Sequence, residues 1–255
     1  MRKQVFITAI IILSALNIIK AQGNFNISTD IQSRYIWRGQ ALGGNTPSIQ
    51  PSMKYNIKGF ELGAWGAFST SQLTTQELDV YLSYTFLDNM FTAIIIDYSF
   101  PKDFTQFDYF DYGKNTTHVL EAGIVFNGLK NLPINASIYT NFYGADSKDI
   151  NNDNVMSTYL EVSYNPFIEK INTSLSVFSG FALNGGYTNT NPISSLNNNI
   201  YGYYGNIGFA CVNLGLGATK NLKITESFSL PISTKLIFNP EAKKAFFTVS
   251  TGIKI

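Results

Sequence analysis

The sequence predicts an all-β chain: a transmembrane, antiparallel, up-and-down β-barrel of about 12 strands. Three observations predict it. Apolar and polar residues alternate with period two from Asn24 onward, the connectors between the alternating segments are short and long by turns, and the composition is poor in charge and rich in rings. Charged residues make up 14% of the 255 and aromatics 15%, whereas a soluble domain usually carries about 25% charged residues. Water-facing surface is therefore scarce.

The N-terminus reads Met1-Arg2-Lys3, then an apolar run from Val5 to Leu16, then Lys20-Ala21-Gln22. A charged start, a short apolar core and a small residue at the cut describe a secretory signal peptide over 1–21, although Ile19 departs from the small residue usual at minus three. Val5–Leu16 is shorter than the ~20 apolar residues that a spanning helix needs. Export is expected, and residues 22–255 are expected to form one barrel domain in a Gram-negative outer membrane. Cys211 is the single cysteine, so no intrachain disulfide forms, and it reads as a small strand hydrophobe. The net charge is +1 and no basic cluster occurs beyond Lys243-Lys244, which excludes nucleic acid as a partner.

Strand periodicity starts with Phe25, Ile27, Thr29, Ile31, Ser33, Tyr35 and Trp37 on one face, against Asn26, Ser28, Asp30, Gln32, Arg34 and Arg38 on the other. Ile49, Pro51, Met53, Tyr55 and Ile57 then alternate with Ser48, Gln50, Ser52, Lys54 and Asn56. Pro51 lacks a ladder donor and suits an edge or bulge better than a central strand. Further strands are expected near 60–69, 77–86, 90–100, 116–126, 134–143, 155–164, 171–182, 206–219, 222–238 and 245–255. Lys58-Gly59, 87–89, 127–133, 165–170 and Lys220-Asn221 read as short turns, and 101–115, 144–154 and 183–205 as long loops. Short inner turns opposite long external loops are the asymmetry of outer-membrane barrels, and it places both termini on the periplasmic side.

Alternation alone also fits a soluble barrel with its apolar face inward. The rings decide between the two. Phe25, Tyr55, Phe60, Tyr84, Phe86, Phe126 and Tyr164 gather at the turn end. Tyr35, Trp37, Phe68, Tyr98, Phe100, Phe142, Phe181, Phe238 and Phe247 gather at the loop end, with Ile27, Ile31, Leu82, Ile94, Ile124, Leu160 and Leu175 between. Two aromatic girdles around an aliphatic band match the two interfaces of a bilayer. The last alternating stretch, Ala245–Ile255, supplies a strand to close the barrel on the first. It finishes on Ile255 where the barrel-assembly machinery usually meets an aromatic residue.

The pieces TDIQSRYIWRG (29–39), PSIQPSMKY (47–55), GFELGAWG (59–66) and ELDVYLSYTF (77–86) resemble, in order and spacing, the N-terminal half of the TorF-like putative porins, the Gcw_chp family of bacterial outer-membrane proteins. That resemblance implies an outer-membrane barrel of the porin kind, and it brings no catalytic or ligand residues with it.

Alternation turns Asp30, Arg34, Arg38, Lys54, Glu61, Glu77 and Asp79 inward as candidate pore-lining residues. If the first hairpin pairs Asp30 with Lys54, charges of both signs face each other across the lumen and filter solutes by size and charge. The same residues would equally serve as an ion-pair network that plugs the lumen. Loop 101–115 interleaves Asp103, Asp108 and Asp111 with Phe104, Phe107, Tyr109, Phe110 and Tyr112; a constriction, a sugar platform and a self-packed loop all fit it. The 149–154 run, DINNDN, offers oxygens at alternate positions but lacks the glycine and bidentate glutamate of a calcium loop. His118, the sole histidine, reads as an interfacial residue: a hydrolase would need a serine beside it, and Leu120 holds the next place on its face.

The reading is a passive, non-enzymatic channel for small hydrophilic solutes, with no cofactor and no metal. Its partners are outer-membrane lipid, those solutes and the assembly machinery, with self-association left open. A plugged structural or adhesive barrel that binds through external loops is the alternative, and a barrel hydrolase comes third. The mature protein should refold into detergent micelles as a β-rich, heat-modifiable species on a gel; a soluble monomer without detergent would sink the membrane-barrel reading.

Overall fold

The computed structural model describes residues 23–71, 76–101, 109–113, 116–129, 131–189, 198–226 and 228–254. The expected signal peptide, the 102–108 part of the long loop and Ile255 lie outside them. Twelve antiparallel strands form the wall. They are β1 (Asn24–Gln32), β2 (Ser48–Ile57), β3 (Phe60–Ser69), β4 (Glu77–Phe86), β5 (Phe91–Ser99), β6 (His118–Phe126), β7 (Ile134–Gly144), β8 (Thr158–Tyr164), β9 (Thr173–Ala182), β10 (Ala210–Lys223), β11 (Ser229–Asn239) and β12 (Lys244–Lys254). Each pairs with its neighbours in sequence, and β12 returns to β1, from Ser28↔Lys254 to Gln32↔Ser250. The ring has no open edge, so the wall's backbone groups find partners within it.

Local sequence explains the turns. Lys58 (φ 47°) and Gly59 (φ 86°) take the two left-handed positions of a tight hairpin, which suits the strand twist. Pro51 sits inside β2, and the ladder to β3 lapses at Gln50 and Pro51 between Ile49↔Phe68 and Ser52↔Trp65, so the missing donor falls where no bond is made. On the inner face, large rings pair with glycines: Tyr81 with Gly63, Tyr139 with Gly123 and Phe178 with Gly215. A Cβ on any of these glycines would stand 2.2–2.4 Å from the ring opposite. Each ring therefore lies flat on the wall across the strand that lacks a side chain.

The outer face is apolar. Ile27, Ile31, Leu82, Ile95, Ile124 and Leu216 stand exposed on it. At the turn end the rings of Phe60, Tyr84, Phe86, Phe91 and Phe126 follow one another with centroids 4.5–6.0 Å apart, and Phe142, Phe238 and Phe247 are exposed near the loop end.

Four expectations need correction. The first strand stops at Gln32, where its pairing with Ser48 and Ser250 ends, instead of running to Arg38. Beyond it Ile36–Trp37 pairs with Gln40–Ala41, and this small hairpin turns into the barrel. Tyr35 and Trp37 thus leave the outer girdle for the interior, and Tyr35 is buried against Trp65. Second, the register sets Asp30 opposite Gln50 and Gly252, not Lys54, which faces Asn26 and Gly63. Third, Tyr98 points inward and is buried, and Ile94 shares its face across from Ser83 and Gly123. β5 is apolar on both faces there, so alternation alone does not say which is which. Fourth, Lys220 and Asn221 are not a turn; they pair with Ile232 and Pro231, and the ladder runs on to Lys223↔Ser229.

Replacing Gly123 by Val should push Tyr139 off the wall and lower stability by about 1–3 kcal/mol, read as an earlier unfolding midpoint in detergent. Gly205→Ala, where no atom lies within 4 Å of the added Cβ, is the milder control, costing only the left-handed turn it occupies.

Candidate functional site

The inward hairpin carries Arg38 at its tip, in the left-handed region (φ 46°), followed by Gly39 (φ 77°). Only glycine fits the second position, because a Cβ there would lie 1.9 Å from the Val212 carbonyl oxygen. Asn239 Nδ2 donates to the Gly39 carbonyl at 3.1 Å and Gln40 Nε2 to that of Tyr203 at 3.4 Å. The tip is thus pinned to the wall and to a second inward segment, residues 202–208, which carries the buried Tyr204 and is held by the N–H groups of Gly186 and Gly202 on the Asn206 carbonyl.

From this tip the Arg38 guanidinium reaches Glu121 with both ends: Nη1 to Oε1 at 2.5 Å and Nη2 to Oε2 at 2.9 Å. Nη1 also donates to the Tyr204 hydroxyl at 2.9 Å, and the Tyr98 hydroxyl donates to Glu121 Oε2 at 2.9 Å. The guanidinium carbon lies 4.5 Å from the ring centroids of Trp37, Tyr139 and Tyr159, and 5.7 Å from that of Tyr204. The side chains are 9% and 0% exposed for Arg38 and Glu121. A charge so covered persists only where it is matched, and a forked carboxylate with ring faces around it is the match that suits a planar guanidinium. Behind this cluster Tyr159 donates to Glu161 at 2.5 Å, and Asn213 Nδ2 donates to Glu161 at 2.9 Å.

Two hollows border the hairpin, one within the barrel and one at its loop-end rim. On the turn side lies a cavity of about 470 Å³ bordered by Arg38, Tyr139, Ser163, Asn165, Ser176 and Lys235. On the loop side a hollow of about 720 Å³ is bordered by Gly39, Gln40, Tyr201, Tyr204, Glu241 and Lys244. Both are polar in their lining.

The seven residues selected from the sequence have different surroundings. Lys54 pairs with Glu61 at 3.3 Å, and Glu61 also accepts from Tyr81 at 2.7 Å. Asp30 stands on the inner face beside Gly252. The Arg34 guanidinium sits 5.9 Å over the buried Phe246 ring. Glu77 and Asp79 are buried side by side on the inner face of β4. Among the seven, the structure brings Lys54 to Glu61 and Glu77 to Asp79; Arg38 is joined to Glu121, which lies 83 residues away and outside that set. Glu121 is nonetheless marked in HVLEAGIVF: it is the acidic residue of that strand and takes the face opposite Ile124.

His118 lies at the loop end, as expected, yet it is covered, at 1% exposure. Its Nδ1 is 2.7 Å from Asp97 Oδ1, while the hydroxyls of Tyr112 and Tyr109 donate to Asp97 Oδ2 at 2.6 and 3.2 Å. The two rings pack on the imidazole, with centroids at 4.4 and 5.0 Å, and Tyr143 donates to the Tyr112 carbonyl. Burial, and then Asp97, push both loop hydroxyls up, Tyr112 to about 12. Ser99 is the cross-strand neighbour of His118, so a serine does stand beside the histidine. Its Oγ is buried and makes no hydrogen bond among the described residues. In the 149–154 run, Asp149 Oδ1 accepts the backbone N–H groups of Asn151 and Asp153 at 2.9 Å each, which turns its carboxylate onto its own loop.

The family model described as a bacterial protein of unknown function (Gcw_chp) matches residues 19–189. No curated protein matches the chain. Among solved structures, the chain is similar to a NanC porin in a rhombohedral crystal form, at 10% identity and TM-score 0.47, covering 90% of this chain and 98% of that one. It is also similar to OprB of Pseudomonas putida at high pH, at 9% identity and TM-score 0.36, covering 95% and 94%. A structure from work on in-meso crystallization of membrane proteins gives 8% identity and TM-score 0.48, covering 91% and 83%. Likenesses this distant say nothing of function.

Removing the carboxylate that matches a covered guanidinium typically costs about 3–5 kcal/mol. Glu121→Ala should therefore release the hairpin while the wall stays folded. In a Trp65→Phe background, which leaves Trp37 as the sole tryptophan of the two, its emission should shift to the red without change in the strand signal of circular dichroism.

Proposed function

Since the chain belongs to the Gcw_chp family of bacterial proteins, whose function is unknown, we propose from its geometry that it is an outer-membrane, porin-like channel for small hydrophilic solutes, closed at rest by its own Arg38 hairpin. The observation that carries this reading is the latch itself: one forked ion pair, Arg38 with Glu121, stands between a polar cavity in the barrel and a hollow at its loop-end rim. The apolar outer face and its ring of aromatics support a bilayer as the surroundings, and the expected signal peptide supports export. The resemblance of residues 29–86 to the TorF-like porins points the same way.

Opening leaves the wall's ladder untouched. The hairpin is held by the Asn239 and Gln40 hydrogen bonds, the latch, and the packing of Ile36, Trp37 and Ala41 on the inner wall, none of which belongs to that ladder. It can therefore move while the barrel keeps every strand, a segment motion of the kind that gates many sites.

Planar-bilayer recording tests this. The wild type should be closed for most of the record, and Arg38→Ala should conduct steadily. If both stay silent in protein shown to be inserted, the plugged structural barrel takes the channel's place.

A further inference from the structure

The box around Arg38 has the chemistry of a receptor for a guanidinium, and most of it does not belong to the hairpin. Tyr98, Glu121, Tyr139 and Tyr159 project from four successive wall strands, β5 to β8, and Tyr204 comes from the second inward segment. Only Trp37 travels with Arg38. Take the arginine side chain away and a forked carboxylate remains, with a phenol donating to it and ring faces at cation–π distance from the vacated place.

We propose that this box is a ligand site for guanidinium-bearing solutes, and that Arg38 occupies it as a tethered stand-in for them. The proposal names the solute class of the channel and in that respect rests on the channel reading; binding itself does not depend on conduction. Three observations carry it. The ion pair is bidentate, and a two-pronged carboxylate favours guanidinium over ammonium, which is a point charge with no fork to match. The stand-in is delivered from a left-handed backbone that an arginine seldom adopts. And the turn-side cavity of about 470 Å³ opens onto the box through Tyr139, Tyr159 and Arg38, a volume in the range of small-molecule pockets. With Arg38 withdrawn, Glu121 and Glu161 outnumber Lys235 around this cavity, which draws cations to it.

A tethered group acts at an effective concentration of about millimolar, so a free ligand competes poorly with Arg38 and well once it is gone. Ethylguanidinium and ethylammonium, titrated by calorimetry into the folded, heat-modifiable protein in micelles, are the probes. Arg38→Ala should bind ethylguanidinium at least tenfold tighter than ethylammonium and at least tenfold tighter than the wild type does, and the further change Glu121→Gln should abolish that preference. In bilayers the same ethylguanidinium should close the Arg38→Ala channel again. Should Arg38→Ala fail to fold, Arg38→Gln serves in its place. Equal binding of the two cations, or a preference indifferent to Glu121→Gln, overturns the site. A variant that binds but never conducts upholds the site and overturns the channel, whereas one that conducts but shows no preference does the reverse.

Discussion

Backbone hydrogen bonding round a closed ring is the constraint on which everything else in this protein depends. Once β12 has paired with β1, every residue of the wall faces either in or out, and a shift of one residue would exchange the two faces. Most aliphatic side chains go out, and most serines, asparagines and charges go in. The ladder thereby creates a polar interior without a single loop residue. It also fixes the distances at which side chains from β5 to β8 converge on one point inside.

That interior is then shaped by size. Rings laid across Gly63, Gly123 and Gly215 keep close to the wall, so Tyr139 contributes a face to the Arg38 box without filling the lumen. Tyr204, Tyr159, Val212, Ala182 and Ala210 form a small apolar cluster under the second inward segment. The inward hairpin rests on this cluster through Trp37. Burying Arg38 is tolerable because ring faces exclude water while Glu121 supplies the charge; either alone would leave the guanidinium uncompensated.

Much of the wall can be read from the chain because membrane-facing strands carry one aliphatic or aromatic residue in two. Ile27, Ile31, Leu82 and Ile124 declare the outer face, and Lys58-Gly59 declares its turn by backbone chemistry. The errors arise where that signal is locally degenerate. Ile36 and Trp37 prolong the alternation of β1 although the chain has already left the wall. Ile94, Ile95 and Ile96 are apolar on both faces, and Asp97 suggests the wrong one, since its charge is met on the outside by His118 and two tyrosines. Lys220-Asn221 has turn composition, yet polar residues are also normal where a strand reaches the rim. The candidate site is half legible: alternation marks Arg38 as an inward charge, but its partner Glu121 lies 83 residues on, and no local pattern links residues joined only by closure.

The outward Asp97–His118 pair also bears on how the barrel would ride in a bilayer. From Phe91 in the turn-end belt to Asp97 is six residues, about 20 Å along the strand and roughly 15 Å in height at the usual barrel tilt, against an apolar band of about 25 Å in such proteins. In a bilayer the β5–β6 sector would be apolar over less than the usual height, and lipid beside it would thin or let its headgroups sink toward the tyrosines.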